Sequence, residues 1–222
     1  MSDQGERAPQ PDQSDAAPPA RSRLFLVRHG QSTWNHSQRI QGQEDPPLSE
    51  RGLAQAADMA GRLGRARFTA FYASDLQRCR QTAAPLAERL GIEPVLRADL
   101  REVMLGDWEG LTAAEIAAKY PEKWARWSRE PSWDIVPNSE GSRPFEQRVS
   151  AAIDSIFAAH PEGDVVLVTH GGVIQVVLQT VVGRHSSNGL FAFRIQNCSL
   201  SKIERGTRGR VITLVNDTSH LR

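Results

Sequence analysis

Two histidines stand where short apolar runs give way to glycine: His29, between Arg28 and Gly30, and His170, ahead of Gly171 and Gly172. Arg78 follows a third such run, a few residues beyond Phe68 to Ala73. A neutral imidazole can act as a nucleophile or a proton carrier, and a guanidinium meets an anion with a planar fork of donors. Gly30 permits a turn that other residues resist, and Ser32 or Thr33 can cap a following helix, turning free N–H groups and a positive dipole toward an anion. These residue types suit a phosphoryl group held without a metal ion. Glu102 and Glu109 lie in a stretch from Leu100 to Gly110 with no regular period, and they are the candidates for proton donor or acceptor.

The elements that must hold these residues follow from periodicity. Leu24 to Val27 and Val165 to Thr169 are short apolar runs of the kind buried parallel strands show, and Phe68 to Ala73 and Pro94 to Leu96 read as two more strands. Helices are expected from Ser49 to Gly64, with Leu53, Ala56, Ala57, Ala60 and Leu63 on one face, and from the Arg78 junction to Leu90. Others run from Thr112 to Tyr120, restart at Pro121, begin again at Pro144, and continue from Val173 to Val182. Phe191 to Ile195, Ser199 to Glu204 and Val211 to Val215 read as closing strands, the last two joined at Gly206 to Gly209. Open α/β sheets bind ligands outside the carboxyl ends of their strands. If the strands before His29, Arg78 and His170 are parallel neighbours, all three junctions open on one cavity.

The 222 residues suffice for one substantial core. Lys and Arg number 27 against 26 Asp and Glu, so the net charge of +1 gives no general attraction to nucleic acid or to an anionic membrane. Any anion site is therefore local. Residues 1–22 are rich in Pro, Ala, Asp, Gln and Ser without an apolar run, and are expected to be a disordered tail ahead of a domain at 23–222. That tail lacks the apolar centre of a secretory signal, no segment is apolar enough to span a bilayer, and Cys79 and Cys198 are read as free thiols, so a cytoplasmic protein is expected.

Taken together, the motifs resemble the histidine phosphatase superfamily, which includes phosphoglycerate mutases and broad-specificity phosphatases. The resemblance rests on Arg28, His29, Gly30 and Gln31 with Asn35; on Gln41 and Gly42 with Pro47 to Gly52; and on Ser74 to Arg78 with Thr82. It continues through Leu100 to Glu102, Gly106 to Gly110 and Thr169 to Gly172, with Asn197 to Ser199 and Asn216, Asp217, His220 and Leu221 similar to the phosphatase branch's closing motifs. It implies His29 as the phosphorylated nucleophile, Glu102 as proton donor, and Arg28, Arg78, His170, Asn35 and Gly171 as phosphate ligands. Gln41 and Gly42 would contact phosphate or substrate from their loop, and Glu109 would be structural. Two departures stand out. Gln31 replaces a frequent glutamate, and Glu140, Gly141, Ser142 and Arg143 stand where relatives often read Gly-Glu-Ser, so substrate contacts from that loop are not carried over.

The resemblance implies a three-layer α/β/α fold, a mixed, mainly parallel sheet with helices on both faces and an inserted helical lid from Leu105 to Ser142. It implies no cofactor and no metal, and a small phosphomonoester as the partner, with neither nucleic acid nor membrane; a homodimer is compatible with it. Trp124, Trp127 and Trp133 belong to the lid or to the core. A mutase would carry a longer basic segment after Glu102, whereas Leu105 to Tyr120 holds only Lys119 as a cation, which favours a phosphatase. A non-catalytic phospho-ligand module would not require His29 and Glu102. A metallohydrolase is disfavoured because His36, His160, His185 and His220 fall in separate elements.

Overall fold

A computed structural model describes residues 21–184, 192–207 and 209–221. In chain order, β1 (Ser22–Arg28) leads to the single-turn α1 (Thr33–His36) and to α2 (Glu50–Leu63), and β2 (Ala70–Ser74) leads to α3 (Gln77–Leu90). β3 (Val95–Arg97) precedes an inserted segment with α4 (Ala113–Lys119) and α5 (Pro121–Arg129). Then come α6 (Ser142–Ala159), β4 (Gly163–Thr169), α7 (Gly171–Val181), β5 (Leu200–Gly206) and β6 (Gly209–Asp217). The expected tail lies outside the described residues as far as residue 20, and Ser22, its last residue, is already buried in β1.

The six strands form one sheet in the order β3-β2-β4-β1-β5-β6. β1 runs parallel to β4 in register from Ser22 with Gly163 to Arg28 with Thr169, and β2 runs parallel to β4 and to β3. Only β5 and β6 are antiparallel. Because side chains alternate across a strand, Leu24, Leu26, Val165 and Leu167 enter one core with α6 and α7, while Val27, Val166 and Val168 enter the other with α2 and α3. The mixed sheet between two helical layers is the expected architecture.

Local differences have local causes. The buried stripe of α2 is Gly52, Ala56, Met59, Ala60 and Leu63; Leu53 is 51% exposed rather than on the core face, and Ala57 is exposed as well. A Cβ at Gly52 would lie 2.0 Å from the Gln31 carbonyl oxygen, so the helix packs glycine-first against the turn after β1 and Leu53 rotates outward. Helix α6 starts at Ser142, two residues before Pro144, because Asp134 Oδ1 accepts the Ser142 N–H and a proline is tolerated in a first turn. Of the strand expected at Phe191 to Ile195, Phe191 lies outside the described residues and 192–195 form no strand. Side chains have taken the place of a ladder there: Gln175 holds Phe193 through both its N–H and its carbonyl, and Arg28 donates to the Ile195 carbonyl.

The inserted segment is both core and cavity wall. Trp124 and Trp127 stack at 5.4 Å and 15°, and each ring lies 5.9 Å from the fully buried Trp108. These three aromatic side chains fasten α5 onto the main core. Among the tryptophans only Trp133, beyond α5, reaches the cavity described below. Among the described residues no helix is long and apolar enough to cross a membrane.

The contrast between Leu26, with no exposure, and Leu53 sets a stability test. Chemical denaturation is expected to show Leu26→Ala losing about 2–5 kcal/mol through the cavity it leaves, and Leu53→Ala changing stability by less than about 0.5 kcal/mol.

Candidate active site

Three parallel strands release their chains at one edge of the sheet, and a cavity of about 530 Å³ opens there. His29 continues β1 by one bond, its N–H donating to the Thr169 carbonyl at 2.8 Å. Its ring is fixed by Nδ1, 2.7 Å from the Gly30 carbonyl oxygen. A carbonyl only accepts, so Nδ1 carries the proton and Nε2 of the neutral ring keeps its lone pair. Burial, then the charges of Arg78 and Arg28, pushes the His29 pKa well below its ordinary value, so the ring is neutral at neutral pH.

Arg78 is fully buried at the second position of α3, where the helix dipole disfavours a cation. Its Nη1 donates to the Glu44 carbonyl at 2.7 Å and its Nη2 to the Gly42 carbonyl at 2.8 Å. Arg28 donates Nη1 to the Ile195 carbonyl at 2.6 Å. Both line the cavity, and in both the buried Nε–H has no partner. Burial lowers both arginine pKa values, and for Arg28 the charge of Arg78 lowers it further against the opposing pull of Glu102. Neighbouring Arg80 is exposed, so the two arginines of this junction are separated by burial alone.

His170 caps α7 and is fully buried, its ring 5.3 Å from that of His29 and inclined at 62°. It does not line the cavity, because its Nε2 turns to Ser74 Oγ at 2.8 Å, with Cys79 Sγ at 3.4 Å. Burial and the Arg78 charge hold its pKa well below the ordinary histidine range. Burial also drives up the Cys79 thiol pKa and pushes that of Cys198 up to about 12, so both remain thiols.

The two candidate carboxylates part company here. Glu102 lines the cavity, its Oε2 accepting the Gly172 N–H and its Oε1 the Val103 N–H, both at 3.0 Å. It is the only carboxylate among the described lining residues. Glu109 points elsewhere: its Oε1 accepts the Gln43 and Leu105 N–H groups at 2.9 and 2.8 Å, stitching two loops together. Asn35, Gln41, Gly42 and Gly171 all reach the cavity. Ser32 occupies the amide oxygens of Asn35 and Gln41, at 3.2 and 2.7 Å, which turns their remaining donors free for a ligand.

Two residues that the motifs include without a stated role support the site. Asn197 Nδ2 reaches the carbonyls of His29 and Gly30 and the amide oxygen of Asn35, at 3.1, 3.3 and 3.1 Å. Thr82 accepts the Gly30 N–H at 2.9 Å and donates to the Arg78 carbonyl at 2.7 Å, tying the turn after His29 to the helix that carries Arg78. Among the described residues no group of three or more His, Cys, Asp and Glu side chains gathers as a metal site; His185 lies outside them.

Comparison with known proteins bears on this arrangement. The sequence model of the histidine phosphatase superfamily (branch 1) matches residues 24–218. Phosphoserine phosphatase 1 of Hydrogenobacter thermophilus is 34% identical over 199 residues, covering 90% of this chain and 94% of that protein. A probable phosphoglycerate mutase, GpmB, of Yersinia pestis is 33% identical over 206 residues, covering 89% and 94%. Among solved structures, a mycobacterial glucosyl-3-phosphoglycerate phosphatase complexed with VO3 is similar with a TM-score of 0.80 and 31% identity, covering 88% of this chain and 99% of that one.

The two neutral histidines give a pH test. The unfolded chain protonates them near 6.5 while the native state resists, so acidification below that value favours unfolding by about 1.4 kcal/mol per pH unit for each histidine until the native pKa is reached. Histidine ring NMR is expected to show both rings neutral at pH 6 in the folded protein, and urea titrations to show stability falling from pH 6.5 downward. A second test uses Gly172, where a Cβ would lie 2.2 Å from Glu102 Oε1. Gly172→Ala is expected to displace the carboxylate and lower kcat/KM for phosphate-ester hydrolysis by about 10²-fold, read in steady-state assays.

Proposed function

The chain is an enzyme of the histidine phosphatase superfamily, and from that membership we propose that it is a metal-independent phosphomonoester hydrolase working through a phosphohistidine on His29, with Glu102 as proton donor. The observation that carries the proposal is that Arg28 and Arg78, two cations withdrawn from water, line the same cavity as Glu102 and the neutral His29. Two desolvated cations favour negative charge beside them, and a phosphoryl group in the cavity supplies it together with acceptor oxygens.

The lone pair of His29 Nε2 attacks phosphorus as the ester P–O bond breaks, and the proton of Glu102 passes to the leaving oxygen. Glu102, now a carboxylate, takes a proton from water as that water's oxygen attacks phosphorus. The P–N bond breaks, its electron pair returns to Nε2, and free phosphate and an alcohol are the products. Arg28, Arg78, Asn35 and the Gly171 N–H bind the phosphoryl oxygens and stabilise the charge that spreads over them in the transition state. His170 supports His29 from its buried position, and Gln41 and Gly42 border the substrate.

The cavity is larger than a phosphoryl group alone requires, and Ile40, Leu105, Trp133, Phe145, Val176 and Phe193 give it apolar walls for the leaving alcohol. The substrate is accordingly a small phosphorylated metabolite. A second reading, phosphoglycerate mutase, is favoured by the mutase-named relative. A mutase must retain the phosphoryl group for return to its product, whereas a phosphatase surrenders it to water.

Phosphate release from an aryl phosphate in the presence of chelator tests the phosphatase reading. The native protein is expected to release phosphate undiminished, and His29→Ala to lower the rate by about 10³-fold or more. In a second assay with phosphoglycerate as substrate, isomerised phosphoglycerate in place of free phosphate would establish the mutase instead.

A further inference from the structure

Glu102 sits on backbone that belongs to neither helix nor strand, so no ladder determines where its carboxylate lies. One side chain from another element does. Arg148, in the second turn of α6, donates Nη1 to the carbonyls of Asp99 and Arg101, at 3.0 and 2.9 Å. Its Nη2 donates to the Glu102 carbonyl at 3.2 Å and to Glu140 Oε1 at 2.6 Å, and its Nε to Glu140 Oε2 at 3.2 Å. A guanidinium has five N–H donors in a rigid plane, and here each has an acceptor.

Glu140 closes the arrangement from the other side. Its Oε1 accepts the Met104 N–H at 2.8 Å, and its own N–H donates to the Met104 carbonyl at 3.1 Å. Residues on both sides of Glu102 are thereby tied to one ion pair, and Gln43 Nε2 adds a further donor to the Glu102 carbonyl at 3.2 Å. The Arg148 guanidinium also lies over the ring of Phe145, a cavity wall, at 5.1 Å. Neither Arg148 nor Glu140 lines the cavity. Glu140 is the residue displaced in the departure from Gly-Glu-Ser, and its partner is Arg148 rather than a substrate.

We propose that the Arg148–Glu140 pair is a positioning device for the proton donor, holding the backbone from 101 to 104 so that the Glu102 carboxylate stays on the Gly172 N–H and within reach of the leaving oxygen. This rests on the reading of Glu102 as the acid. A proton donor acts only within hydrogen-bond reach, and displacement by about 1 Å lowers rates by about 10²-fold. Lysine in place of Arg148 offers three donors from a point, which cannot serve three carbonyls and a bidentate carboxylate together.

The test separates positioning of the acid from general support of the fold. In the full chain, kcat/KM is measured for p-nitrophenyl phosphate, whose leaving group needs little protonation, and for glycerol 3-phosphate, whose alkoxide needs it. Arg148→Lys is expected to lower the aryl value by no more than about 3-fold and the alkyl value by about 30-fold or more, with Glu140→Gln moving the ratio in the same direction. Equal losses on both substrates, or none, would overturn the proposal. Should Arg148→Lys fail to fold in thermal melts, the ratio for Glu140→Gln decides alone. Glu102→Gln distinguishes the two layers of the reading. If it too leaves the alkyl-to-aryl ratio unchanged, Glu102 is not the acid and both inferences fall; if it collapses the ratio while the other variants do not, only the positioning role falls.

Discussion

The parallel hydrogen bonding of β4 to β1 on one side and to β2 on the other is the constraint from which the rest follows. It brings the carboxyl ends of three strands to the same edge, so residues more than a hundred positions apart in sequence leave the sheet side by side. The ladder extends one step past the last strand residue, through the His29 N–H to the Thr169 carbonyl, and so anchors the histidine to the most deeply buried strand of the sheet. A site built on such an edge inherits the rigidity of the core beneath it.

Charge is the second constraint. Two arginines withdrawn from water repel one another and incur a desolvation penalty of several kcal/mol each, which backbone carbonyls offset only in part. Their Nη groups take those carbonyls while each Nε–H stays without one. Burial, with the same charges added to it, keeps His29 and His170 neutral, so the core that withdraws these groups from water also leaves the His29 ring unprotonated at Nε2. Stability and reactivity are here two aspects of one electrostatic arrangement.

Beyond the sheet edge the backbone is irregular, and side chains replace ladders. Asn197 spans three acceptors around His29, Glu109 joins the 43 and 105 segments, Gln175 holds the 193 segment, and Arg148 gathers carbonyls at 99, 101 and 102. Buried backbone groups need partners wherever they lie, and a loop that must present a carboxylate to a cavity cannot obtain them from a neighbouring strand. Precision in such loops comes from multidentate polar side chains on helices and adjoining turns.

The sequence by itself determined the elements and the chemistry at their ends. Alternation and helical period mark β1, β4, α2 and α7, and the glycines beside His29 and His170 mark the junctions, because these patterns report which face of a local element is buried. The family resemblance then assigned roles to His29, Arg28, Arg78 and Glu102. The tertiary structure alone decided that Glu102 faces the cavity and Glu109 a pair of loops, that Arg78 is buried and Arg80 is not, and that His170 stands beside the cavity rather than on its wall. It also placed Leu53 in solvent, left 192–195 without a strand, and divided the tryptophans between core and cavity. The physical reason is range. Periodicity is a local signal, whereas the bonds that aim these side chains join residues 46 apart, as in Arg148 with Glu102, or 168 apart, as in Asn197 with His29, and only the closed fold brings such partners within hydrogen-bonding distance.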